Sequence, residues 1–559
     1  MNTKHLLSVI LLLSVVFFIS CKSTTNEEIS EDGQTEEVLI KELTIQEKVA
    51  EYSSVKLNAD ISKLSEKEKQ IIKLFIEASE IIDEIYWDQT FGNKEDLFNS
   101  IGDEDTLKYI KINYGPWDRL NGNKTIIEKY GKKPIGANYY PSDVKYLPFI
   151  SMKFEDKLSQ FTLLRRNANG EMYTIPYHKA YNEQLSKAAE LLNQAAELSE
   201  NENFKKYLKL RAEALLSDNY YDSDIAWMDM SDNNIDFIIG AIECTEDRFI
   251  NTKNSYEAFI LLKDNDWSKI FMEYANSVPK LITNIPVEDK YKKNIVGSAS
   301  DIGVYDAIYY AGLCNTGGKS ISINLPKDGR IIMEKGNKNL IFKNATQAKF
   351  DKILKPIAST VIDDSQLENV KFEAFFENNL FYEIVDGLNV IKTIDDNGFI
   401  VKDVLKEHYN TINGLKANIT RMQFITELHD LGLHNDKELL DNYVTFVADI
   451  FRSVRFGLSE VQAEFNMITF NHFLENGAIS RNEENGKYLI DLEKMKKSLA
   501  SLTKTSLVIL GDGDYNAAKE LIEKKGFVNE NLRNDLTKIS EAGIPRDIVF
   551  EQGAKILEL

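Results

Sequence analysis

The chain has 559 residues, with 67 lysines and arginines against 88 aspartates and glutamates, a net charge of −21. That length and a 43% hydrophobic content allow a large core and several domains, and exclude a disordered or disulfide-stapled mini-protein. The acidity argues against nucleic acid as a partner, because phosphate recognition needs clustered Lys and Arg. Ten prolines favour long helices, 3 cysteines rule out a disulfide framework, and 6 histidines leave few imidazoles for a metal site.

The amino terminus reads as an address. Lys4 and His5 precede an apolar run over 6–19, too short for a comfortable membrane span and laid out like a secretory signal. The run ends FISC at 18–21, which resembles the lipobox of bacterial lipoproteins with Cys21 as the lipidated residue. Residues 1–20 are then a signal peptide and 21–45 an acidic tether, with KSTTNEEISEDGQTEEVLI over 22–40 showing no periodicity. Acyl chains such as palmitate on Cys21 would anchor the protein to the membrane. The acidic stretch is similar to surface-export signals of Bacteroidetes lipoproteins, which implies a cell-envelope location at the outer membrane or cell surface.

Helical spacing begins at Glu66, where Ile71, Leu74, Phe75, Ala78, Ile81, Ile82 and Ile85 form one apolar stripe. Leu185, Ala188, Ala189, Leu192, Ala195 and Ala196 form a second. Both are core signals without functional content. Strands are expected over 304–311 and, after the Gly317-Gly318 turn, over 320–325, closed by Pro326. Beyond about 345 the pattern is again helical. These elements suggest an α+β protein of two lobes: a mixed lobe over 46–345 and a mostly helical lobe over 346–559, whose last part is free to return to the first.

Several blocks carry a family resemblance: INYGPWDR at 112–119, PIGANYYP at 134–141, DIAWMD at 224–229, the strands from Tyr305 to Pro326, KFDKILKP at 349–356 and IFRSVRFG at 450–457. Their order resembles the bacterial branch of the dipeptidyl peptidase III family of zinc metallopeptidases. The resemblance implies two lobes around a wide cleft, a helical upper lobe that carries zinc, and a lower lobe whose small sheet or barrel offers a strand edge to peptide. Such enzymes need two histidines one helical turn apart, a glutamate base beside the first and a distant glutamate as third ligand.

Here the residues depart from the pattern. The zinc helix corresponds to FENNLFYEIVDGL at 376–388, so Tyr382 and Asp386 stand at the two histidine positions and only the base survives, as Glu383. The third-ligand segment corresponds to NGLKAN at 413–418, which puts Gly414 where a glutamate belongs. A tyrosine that would steady the oxyanion is replaced by Thr245, and a further histidine corresponds to Gln462. The family's zinc is therefore expected to be absent, and the chain reads as a pseudo-peptidase.

Other sites compete for attention. His429 and His434 have the H-x₄-H spacing of the animal enzymes, with Glu483 and Glu484 downstream; this alternative is an active hydrolase with a non-standard metal site. Gly432 and Asn435 instead suggest a helix end there. Glu383 and Asp386 share a helix face and offer two carboxylates to a hard cation, fewer than calcium or magnesium usually takes. GDGD at 511–514 reads as a turn with Asp514 capping a helix, and Cys244 and Cys314 as small apolar residues. Peptide holding does not require zinc. The edge over 322–326, with Asn324 and Glu243 implied by the resemblance to hold the amino end, leaves a peptide or other extended ligand as the expected partner.

Overall fold

The structure is a computed structural model that describes residues 27–29, 35–37, 43–296, 301–395, 397–433, 438–457 and 461–559. The expected signal peptide, Cys21, most of the tether and His434 lie outside these residues. Among the described residues no helix is long and apolar enough to cross a membrane.

Strand β1 (Tyr52–Lys56) leads into helix α1 (Glu66–Thr90), which starts at Ser65. Ser65 and Glu68 form a reciprocal capping box, satisfying two of the N–H groups that a helix start leaves orphaned. The stripe read from the sequence is the buried face: Ile71, Phe75, Ala78, Ile82 and Ile85 are inaccessible, with Leu74 and Ile81 at its margin. It packs beside α2 (Asn182–Leu198), whose six expected apolar positions are all buried.

The lower lobe centres on a five-stranded sheet built from β2 (Ile235–Glu243), β3 (Ser255–Lys263), β4 (Asp301–Gly312), β5 (Ser322–Leu325) and β6 (Lys338–Phe342). Its strand order is β5-β6-β4-β3-β2, antiparallel except for the β4–β6 pair. The strands expected over 304–311 and 320–325 fall within β4 and around β5. As an edge strand, β5 has one strand neighbour among the described residues.

Two cores result. One joins α1, α2 and the sheet from Leu57 to Phe342. The second begins at Phe271 on the helix Asn265–Asn284 and collects the helices that follow. Those that matter for the site are α3 (Phe372–Asp386), α4 (Tyr409–Asp430), α5 (Leu439–Val454), α6 (Val461–Glu475) and α7 (Leu492–Asp512). The last strand, β7 (Asp547–Glu551), runs back to pair in parallel with β1, with Ile548 opposite Ser53. Ile548 belongs to the second core, while Phe550 packs against both.

Candidate functional site

Helix α3 brings the helical lobe to the sheet edge. It is apolar nearly all round, with Phe375, Phe376, Leu380, Phe381, Ile384 and Val385 buried, so its orientation is fixed by the core. Glu383 faces β5: its Oε1 accepts a hydrogen bond from Ser322 Oγ at 3.0 Å. Burial pushes the Glu383 carboxyl up, opposed by that bond and by Lys327 and reinforced by Asp386. Glu383 and the strand edge are thus in direct contact.

Asp386, one turn on, is exposed at the end of α3. Lys416 of α4 serves that helix end from inside, its Nζ donating to the carbonyls of Val385 at 3.3 Å and Leu388 at 2.5 Å. A cation at a helix C-terminus is favourable, yet burial still lowers this ammonium to about 8.

The ring of Tyr382 lies 5.3 Å from the guanidinium of Arg421, which is itself buried. Arg421 is held by Asn378 O at 3.0 Å and Asn418 Oδ1 at 2.8 Å, with Asp449 at 3.9 Å. Burial and the nearby Asp386 push the Tyr382 phenol up to about 12, so it stays neutral across the physiological range. Gly414 is buried in α4, facing Phe465 of α6. A Cβ placed on Gly414 would lie 2.5 Å from Phe465 Cδ1 and 2.6 Å from Cε1. The aromatic ring therefore takes up the volume a side chain at this position would need.

These residues do not fit a zinc ion. A neutral phenol is a poor ligand, a fixed guanidinium beside it repels a dication, and Gly414 has neither a donor atom in its side chain nor room for one. Among the described residues no group of three or more His, Cys, Asp or Glu side chains is arranged to hold a metal.

The described histidines lie elsewhere. His178 pairs with Asp218 at 2.7 Å, and the His408 ring centroid lies 4.9 Å from that of Tyr515. His429 sits in the last turn of α4, which ends at Asp430 before Gly432 at φ +69°, the helix end read from the sequence. Glu483 and Glu484 are exposed in the turn of a hairpin over 479–490. His472 of α6 lies 2.9 Å from Ser501 Oγ on α7, and burial with the nearby Lys525 lowers it to about 4. Its unfolded form titrates near the ordinary 6.5, so the unfolded chain binds more protons in between. The stability contributed by neutral His472 is complete above about 6.5 and lost as pH falls towards 4. Thermal unfolding of His472→Gln across that window should show a shallower fall in Tm than the parent.

The other expected residues are placed as follows. Glu243 ends β2 and pairs with Lys327 at 2.7 Å. Asn324 lies on β5 opposite Asn339, and both Oδ1 atoms are buried without a hydrogen-bond partner. Thr245 and Gln462 are exposed. Asp514 accepts from the Ala517 N–H at 2.9 Å as the expected cap, and Cys244 and Cys314 are free thiols, the second buried. Sequence reasoning missed Lys327, which directly follows the edge over 322–326, Arg421, which lies on α4 seven residues past Gly414, and Phe465, which comes from a separate helix with no motif to mark it.

A helical lobe set against the edge of a curved mixed sheet defines a two-lobed α+β peptidase scaffold. The sequence profile of peptidase family M49 matches residues 153–384. The chain is 35% identical to DPP III from Caldithrix abyssi, covering 91% of this chain and 98% of that one with a TM-score of 0.86. Against dipeptidyl-peptidase III from Corallococcus sp. strain EGB the identity is 30%, the coverage 91% and 96%, and the TM-score 0.75. A plant protein named Nudix hydrolase 3, from Arabidopsis thaliana, is 30% identical over 572 aligned positions, spanning 91% of this chain and 74% of that protein. The chain belongs to peptidase family M49, the dipeptidyl peptidase III family.

Proposed function

We propose that this protein is a lipid-anchored member of the family that holds an extended peptide between its lobes and has lost zinc-dependent hydrolysis. The observation that carries this reading is the ring of Phe465 packed over Gly414, because it fills the third-ligand position with hydrocarbon. The neutral Tyr382 beneath Arg421 supports it. Glu383 is retained at the base position but is committed to Ser322, which ties it to the strand that would receive the peptide. Main-chain pairing along β5 supplies the affinity in this reading. Cys21 supplies the anchor, at the outer membrane or cell surface.

Purified protein is expected to carry zinc at trace level, to release no dipeptide from arylamide substrates, and to gain thermal stability with short extended peptides. One zinc per chain together with dipeptide release would overturn the reading. It would also revive the alternative site at His429 and His434.

A further inference from the structure

The edge offered by β5 stops at Leu325, because Pro326 has no N–H with which to continue a ladder. The next residue, Lys327, reaches the opposite edge of the same curved sheet, its Nζ lying 2.7 Å from Glu243 Oε1 at the end of β2. The side chains of Lys327 and Glu243 remain 40% and 27% exposed, so the pair is open to a ligand and not sealed in the core. Below it, Glu257 of β3 is buried with Oε1 unpartnered. Burial, reinforced by Glu243, raises the Glu257 carboxyl to about 8.

Beside the pair lies a cavity of about 170 Å³ whose walls include Phe161, Tyr220, Trp227, Leu325 and Pro326. The two arginines in its lining are already paired, Arg211 with Asp224 and Arg330 with Asp328. A ligand running along β5 and past its end would meet a neutralised ion pair and a partly aromatic recess.

We infer that Lys327 supplies from the chain itself the ammonium group that Glu243 would otherwise take from a ligand, so that the cleft selects extended peptides with no charge at the amino end. N-acylated peptides and chain interiors belong to this class. A free α-ammonium brought to the same carboxylate would stand beside the Lys327 ammonium, and like charges at that spacing repel. The inference rests on the proposed peptide-holding role of β5.

The test is calorimetric titration of one pentapeptide of alanine and valine in two forms, free amine and N-acetylated, into the parent, Lys327→Met and Lys327→Arg. The parent should bind the acetylated form about tenfold more tightly, and Lys327→Met should shift the ratio towards the free amine by at least that factor. Lys327→Arg, which keeps the cation, should retain the parent's ratio. A clasp that merely closed the sheet would change stability or both affinities together and leave the ratio untouched. A parent preference for the free amine, or an unchanged ratio in Lys327→Met, would overturn the inference while leaving peptide holding intact. Binding of neither form to any of the three proteins would overturn the peptide-holding role and this inference with it.

Discussion

A variant carrying Tyr382→His, Asp386→His and Gly414→Glu together is expected to bind no stoichiometric zinc and to unfold at a lower temperature than the parent. Restoring the donor atoms is insufficient, because the first carbon of any side chain at 414 meets the Phe465 ring at 2.5 Å. Forcing extra atoms into a close-packed core costs about 1–3 kcal/mol, sometimes more. Adding Phe465→Ala to open the space and Arg421→Leu to remove the neighbouring cation should let the combined variant recover about one zinc per chain by metal analysis. Zinc bound by the threefold variant with Phe465 intact would refute the steric argument. Gly414→Ala alone is a sharper probe. In an unobstructed helix interior that change stabilises by roughly 0.5–1 kcal/mol; here the sign should reverse, and Phe465→Leu should rescue it.

Glu246→Gln is expected to destabilise the lower lobe by about 3–5 kcal/mol, the usual result of removing one partner from a buried ionic cluster. Glu246 is 5% exposed and holds two cations, Arg119 and Lys133, each at 2.5 Å, with Thr90 at 2.6 Å. An amide would leave both cations buried without a counter-charge. Although burial opposes ionisation, Arg119 and Lys133 together hold the Glu246 carboxyl far below the ordinary carboxylate range. Its contribution is therefore complete above the unfolded value near 4.5 and is lost only as pH falls towards the depressed folded value. Denaturant unfolding at pH 7 and at pH 3 checks both parts. The penalty of Glu246→Gln should be large at pH 7 and smaller at pH 3.

What could be read from the sequence follows from how local each signal is. The stripes of α1 and α2 depend on spacing within one helix, and every position expected in α2 is buried. The reading of Tyr382, Asp386 and Gly414 rests on the resemblance, whose motifs fall within short words of sequence. The packing of Phe465 over Gly414 leaves no such mark. Phe465 comes from another helix, and a packed phenylalanine looks the same in sequence whether it lines a core or blocks a site. Lys327 and Glu243 meet only because the opposite edges of one sheet curve towards each other. The Glu246 cluster gathers residues from positions 90, 119, 133 and 246, and no periodicity reports such a meeting.

The parallel pairing of β1 with β7 has a consequence for how the chain is made. Residues 52–56 find their strand partner only at 547–551, so the first strand of the lower lobe waits for the last. Domains generally fold from the amino end as synthesis proceeds, but here the strand over 52–56 has no strand partner among the described residues before 547–551. Closing so long a loop is costly in chain entropy and comes late. Until residues 547–551 arrive, Phe550 cannot join the packing of the two large cores, both of which it touches.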